Sequence, residues 1–159
     1  MHIRIVAVGK TKERYIVDGI AEYEKRLRPY VKLQVTVIAD EKRPAGISAA
    51  NEEQVREREG ERILSAIPQG AVVVALDVRG RLLSSEDLAA LLRDWEIEGK
   101  TSIVFVIGGD LGLSDAVLYH ADLRLSISPM TFTHQMVRLI LLEQIYRVEK
   151  INRGEPYHK

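Results

Sequence analysis

Apolar and polar positions divide the chain into short β-like runs separated by helical stripes. HIRIVAV (2–8) is a β-branched run of strand length. Ile16, Ile20, Tyr23 and Leu27 follow at spacings of four, three and four, which places them on one helix face ending before Pro29. VKLQVTVIA (31–39) alternates with period two, the pattern of a half-buried strand. DEKRPAGISAAN (40–51) has the Pro, Gly and Ser content of a loop. The next stretch, 52–62, is almost wholly charged and reads as a solvated helix start or a mobile segment, with only ILSAI (63–67) expected to be buried.

The second half is more regular. AVVVAL (71–76) and SIVFVIG (102–108) are continuous apolar runs of the kind buried on both faces of a parallel sheet. Between them, Leu88, Leu91, Leu92 and Trp95 form a helical stripe behind the cap candidates Ser84 and Ser85. A short helix is expected over about 114–120, and DLRLSIS (122–128) alternates as a further strand. Residues 134–150 form a long helix whose stretch MVRLILLEQIY is apolar on nearly all sides. Such a helix must be covered all round. A partner subunit would do so, with Leu139 and Leu142 in the interface; a central position inside one chain is the alternative. Alternation of strand and helix predicts an α/β fold with a mostly parallel sheet. Without a visible linker or repeat, residues 1–159 are expected to form one domain.

Composition narrows the function classes. There is no cysteine, which excludes thiol nucleophiles, Cys-ligated zinc and iron–sulfur clusters. Neither a signal peptide nor a membrane-length apolar stretch is visible, so a cytoplasmic location is expected. Lys plus Arg equals Asp plus Glu at 23 each. That balance is unusual for a nucleic-acid binder, whose affinity draws on phosphate contacts. The charge is uneven, however: net +3 over 1–30, −4 over 71–125 and +2 over 126–159. Any polyanion site would have to be local and assembled from the two ends.

Ligands in open α/β sheets sit beyond the carboxyl ends of the strands. Three such ends carry chemistry here: LDVRGR (76–81), GGDLG (108–112) and SPMTFTH (128–134). GGDLG allows close backbone approach, matches neither G-x-G-x-x-G nor a P-loop, and carries Asp110 where a phosphate would be repelled. It is equally readable as a tight turn needing positive φ. In SPMTFTH, Pro129 stiffens the loop, Thr131 or Thr133 can cap the next helix, and Met130 and Phe132 can pack on a flat heterocycle or plug the core. Glu143, Arg147 and Lys150 share a helix face, with Glu143 and Arg147 spaced as an ion pair. The terminal RGEPYHK (153–159) ends in an aromatic and a histidine behind Pro156, and a histidine can act as a base near neutral pH. The four histidines show no metal-ligand spacing, and no G-x-S-x-G elbow is present.

AVGK (7–10), EYEKRL (22–27), FVIGGDLGL (105–113), MTFTHQMVRLILLEQIYR (130–147) and PYHK (156–159) together resemble the RlmH family of the SPOUT methyltransferase superfamily. The resemblance runs from the first strand to the last residue. It implies a SPOUT fold with a C-terminal trefoil knot, S-adenosylmethionine as cofactor and a homodimer with the long helix in its interface. It also implies methylation of N3 of a pseudouridine in large-subunit ribosomal RNA, on the assembled ribosome at a hairpin of the subunit interface. By motif position it assigns cofactor contacts to Leu76, Gly108, Ile127, Ser128, Pro129, Met130, Thr131 and Phe132, with Gly109 as neighbour. It places His158, Tyr157 and Arg147 at the chemistry and implies no metal. Thr133 stands where the family is expected to carry proline. A tRNA substrate or a non-catalytic ribosome-binding role are the alternatives.

Overall fold

The computed structural model describes residues 1–43 and 45–157. Five strands, β1 (His2–Val8), β2 (Lys32–Ile38), β3 (Val72–Leu82), β4 (Ser102–Ile107) and β5 (Leu123–Ser126), form one sheet. Their order is β2-β1-β4-β3-β5, and each pairing is parallel. Five helices connect and follow them: α1 (Arg14–Leu27), α2 (Ala49–Ala66), α3 (Ser85–Ile97), α4 (Asp115–His120) and α5 (His134–Asn152).

The apolar runs sort their side chains by parity. Ile3, Ile5 and Ala7 of β1, Val72 and Val74 of β3, and Ile103, Phe105 and Ile107 of β4 join one buried cluster with residues of α1, α3 and α5. Val6, Val8, Val73, Val104 and Val106 point the other way and pack with Ile63 of α2 and Val117 of α4. Continuous apolar strands are therefore needed at the three central positions, because each buries both faces. β2 is an edge strand, which explains its weaker pattern. Val35 and Val37 remain 38% and 48% exposed, while Leu33 and Ile38 turn toward the two clusters.

Two segments resolve alternatives that the sequence leaves open. The charged stretch 52–62 lies inside the continuous helix α2, capped by Ser48. Val55 and Ile63 anchor it, and Arg58 and Arg62 both pair with Glu41 of the loop before it. Charge here ties a helix to a loop rather than marking mobility. The second segment is α5. None of residues 134–150 is exposed, and α1, α3 and the sheet supply much of the cover. Leu142 is in the core of the chain, and Leu139 lies against Gly19 of α1. Leu142 is therefore an intramolecular contact, while Val137, Leu139, Ile140 and Tyr146 stay half-buried in the single chain.

Glu59 is the main electrostatic cost within α2. It is 5% exposed and accepts a hydrogen bond from the Glu41 backbone N–H at 3.0 Å. Burial raises its carboxyl pKa above the ordinary 4.5. Below that value both folded and unfolded chains hold the proton and no penalty exists; as pH rises, the unfolded state gains by ionising first. Glu59→Gln keeps an acceptor and removes the charge. It is expected to raise the melting temperature at pH 7 by roughly 2–4 °C, the effect of about 1 kcal/mol in a domain of this size. The gain should vanish near pH 4 when both proteins are followed by circular dichroism.

Candidate functional site

The three informative strand ends converge. β3 continues past Leu76 to Leu82, but its pairing with β5 shifts: Leu125 aligns with Leu76 and again with Arg81. The intervening residues bulge, and Asp77 accepts the Arg79 backbone N–H at 3.1 Å to hold the turn. Gly80 is required at this crossing, because a Cβ there would lie 2.7 Å from the Arg124 backbone. Beside it, the segment after β4 closes as a turn, with the Gly112 N–H donating to Gly109 O at 3.0 Å and Gly112 at φ 79°. The positive φ anticipated for GGDLG thus falls on its last glycine. Gly108 meets a different demand: a Cβ there would lie 2.8 Å from Gly112 C. The third segment, 127–133, is fixed by hydrogen bonds between near neighbours in sequence. Ser126 Oγ donates to Ser128 O, Ser128 Oγ accepts the Met130 N–H, and Thr133, rather than Thr131, caps α5.

These segments enclose a cleft of about 670 Å³. Leu76, Gly108, Gly109, Ile127, Ser128, Met130, Thr131 and Phe132 all line it; Pro129 sits in the same loop without lining it. Glu13, Tyr15 and Ile16 at the start of α1, Asp77 and Val78 on the β3 bulge, and His134 and Val137 of α5 also contribute walls. Asp77, Val78 and His134 fall within the strand-end segments 76–81 and 128–134 that the sequence marks; Glu13, Tyr15, Ile16 and Val137 do not. The contribution of these last four follows from the packing of α1 on α5, which has no local sequence signal. Leu76, Ile107, Leu125 and Ile127 give the cleft an apolar floor, and the turns expose main-chain polar groups at its rim. That combination suits a flat heterocycle with a polar tail. Among the described residues, no group of three or more acidic or histidine side chains could hold a metal.

Arg147 and Tyr157 form a second site. Arg147 pairs with Glu143, and its guanidinium lies 4.8 Å from the centre of the Tyr157 ring. The Tyr157 hydroxyl lies 3.1 Å from Glu143 Oε1, to which it donates, and 3.2 Å from the Tyr23 hydroxyl. Its ring packs edge-on against Tyr146 at 4.8 Å. Burial and these hydrogen bonds raise the phenol pKa, so Tyr157 stays protonated. The Glu143 bond raises that of Arg147, which stays charged. Lys150 bonds Glu155 and Tyr30, latching the chain just before Pro156. The tail is thus better anchored than its polarity suggests. His158 lies outside the described residues.

The two sites do not meet within one chain. His134 marks the cleft, and Glu143 holds the Tyr157 hydroxyl. Nine residues of helix separate them by about 13 Å along the axis and about half a turn around it. The cleft and the Arg147–Tyr157 cluster therefore occupy different sides of α5.

The chain resembles known proteins along its whole length. A family profile described as "Predicted SPOUT methyltransferase" matches residues 1–158. The chain is 56% identical over 161 residues to the "Ribosomal RNA large subunit methyltransferase H" of Symbiobacterium thermophilum, covering all of both chains. It is 54% identical over 159 residues to the protein of the same name from Carboxydothermus hydrogenoformans, again covering all of both. A Legionella pneumophila protein solved in complex with the bound cofactor SAM shares the fold at a TM-score of 0.50 and 11% identity, over 95% of this chain and 66% of that one.

Proposed function

The chain belongs to the SPOUT methyltransferase family, and from that membership we propose that it methylates N3 of a pseudouridine in large-subunit ribosomal RNA. S-adenosylmethionine is the donor, the assembled ribosome the substrate and a homodimer the working form. The observation that carries this reading is the cleft: eight of the nine residues assigned to the cofactor by motif line one cavity at the strand ends. The relatives' printed names support the ribosomal RNA substrate.

The cleft fits the cofactor. Its floor of Leu76, Ile107, Leu125 and Ile127 suits adenine, and its volume suits a ligand of that size. Main-chain groups of Gly108, Gly109, Ser128, Met130 and Thr131 would hold its polar parts, with Pro129 stiffening the loop and Phe132 beside the ring. The segments 76–82, 108–113 and 127–133 would also make the knot implied by the family resemblance. S-adenosylmethionine supplies a methyl group already activated on a sulfonium, so the protein's task is alignment and proton removal.

A dimer explains the two separated sites. The Arg147–Tyr157 cluster of one subunit would complete the cleft of the other. Arg147, fixed in charge by Glu143, would hold a phosphate or an imide carbonyl of the RNA. Tyr157 would stack on the base, an interaction of about 1–3 kcal/mol. His158 would approach the same base. The working site would then combine chemistry from both halves of the chain, which removes the need for a strongly basic surface.

The test is mass spectrometry of ribosomal RNA from cells lacking the gene. One pseudouridine should lose 14 mass units, about one methylene, and regain them when the wild-type gene but not Gly108→Arg is restored. Unaltered ribosomal RNA with a methyl group missing from tRNA would contradict the assignment.

A further inference from the structure

A second cavity, of about 1060 Å³, adjoins the cofactor cleft, and Gly109, Asp110, Leu111, His134 and Gln135 line both. Its other walls come from the β1–α1 loop, the loop after β2, and α2. Three lysines stand around it, Lys10, Lys12 and Lys42, and no ion pair engages them among the described residues. The acids nearby are mostly committed: Glu41 to Arg58 and Arg62, Asp110 to Arg43 and His134, and Glu59 to the Glu41 backbone. Unpaired cations around a cavity beside a methyl-donor cleft are what an RNA strand requires.

His134 stands on the shared wall. Its Nδ1 lies 2.9 Å from Asp110 Oδ1. The two groups are not aligned as a hydrogen bond, and Asp110 acts on the ring through its charge; that charge favours a proton on Nδ1, which leaves Nε2 of the neutral ring as the acceptor. Arg43, 3.5 Å from Asp110 Oδ2, holds the carboxylate from the far side.

Resting on the methyltransferase reading above, we propose that this second cavity receives the target uracil-type base and that His134, oriented by Asp110, takes its N3 proton. The imide proton passes from N3 to His134 Nε2, giving an imidazolium that faces the Asp110 carboxylate. The N3 electron pair forms the new N–CH3 bond as the methyl carbon–sulfur bond breaks, and that bond's electrons remain on sulfur. Each atom and charge is accounted for, and no further reactant is needed. Burial lowers the imidazole pKa from its ordinary 6.5, outweighing the attraction of Asp110; Arg138 lowers it further and Asp40 opposes. The ring is therefore neutral at pH 7, the state a proton acceptor needs. The other charged side chains lining the cavity are Lys10, Lys12, Lys42, Arg43, Glu41 and Glu59.

The experiment has two arms. In the free protein, nitrogen-15 NMR should show His134 titrating below pH 6.5 with its proton on Nδ1, and Asp110→Asn should disturb that preference. A dominant Nε2–H tautomer in the wild type would overturn the proposal. In single-turnover methylation of ribosomes from a strain lacking the modification, His134→Gln should slow the rate at least about 100-fold. The rates are compared at saturating S-adenosylmethionine, because His134 also walls the cofactor cleft. The wild-type rate should fall at acid pH as the ring gains its proton, and His134→Gln should lose that limb and recover toward wild type at high pH. His158→Gln should retain the limb. An undiminished rate or a retained acid limb in His134→Gln would overturn the assignment. Wild-type protein that binds S-adenosylmethionine but leaves these ribosomes unmethylated would instead overturn the ribosomal reading on which it rests.

Discussion

Arginine at position 108 is expected to abolish S-adenosylmethionine binding, with affinity falling at least about 100-fold, or about 2.7 kcal/mol. The cause is local. A Cβ on residue 108 would lie 2.8 Å from Gly112 C, 2.9 Å from Gly112 O and 3.1 Å from a Leu113 methyl. The first two contacts are backbone and cannot swing away, so even alanine must push the 108–112 turn open. That turn forms one wall of the cleft. Arginine adds a cation and a long stem to the same place. The sheet should persist, because Gly108 follows β4 rather than lying within it. Calorimetry on Gly108→Ala and Gly108→Arg, with circular dichroism as the fold control, reads the effect directly. Full affinity in the arginine variant would remove the cofactor from this cleft.

Deleting residues 156–159 is expected to lower ribosome methylation at least about 100-fold, the scale of a lost positioning contact, while cofactor affinity holds. The deletion removes the Tyr157 ring from its contacts with Tyr146 and Arg147 and its hydroxyl from Glu143. A drop in melting temperature of roughly 2–4 °C should accompany this, as about 1 kcal/mol of packing is lost. Tyr157→Phe separates the two effects: it keeps the ring and its stacking capacity, and loses only the hydroxyl contacts with Glu143 and Tyr23. Activity close to wild type in Tyr157→Phe, with the deletion inactive, would assign the ring rather than the hydroxyl. A fully active deletion would remove the tail from the reaction.

How far the sequence alone leads depends on the kind of interaction. The central strands were legible because burial on both faces leaves a continuous apolar run, as in VVVA of β3 and IVFVI of β4. Their carboxyl ends were then legible as the site, since ligands gather there in parallel sheets. For α2 the sequence leaves a helix start and a mobile segment open, because its charge is satisfied at a distance, by Glu41 reaching Arg58 and Arg62, and helix periodicity carries no trace of that. The β3 bulge was missed because it follows from a register shift against β5, a pairing nonlocal in sequence. Asp110 and His134 stand 24 positions apart, and only folding brings them to 2.9 Å. The separation of Arg147 and Tyr157 from the cleft was legible in principle, since helical geometry already puts residues nine apart on opposite faces. What the sequence lacked was the contact that holds Tyr157 beside Glu143.

With cleft and tail on different sides of α5, a working site needs two subunits, and one preparation tests it. Subunits carrying Gly108→Arg and subunits lacking residues 156–159 are co-produced with different tags, and the mixed dimer is purified through both. Each parent homodimer should be nearly inactive on ribosomes. In the mixed dimer one cleft is intact and faces one intact tail, so methylation should return to about half the wild-type rate per dimer, one of two symmetric sites being complete. A mixed dimer no more active than its parents would place cleft and tail in the same chain and rule out the two-subunit site.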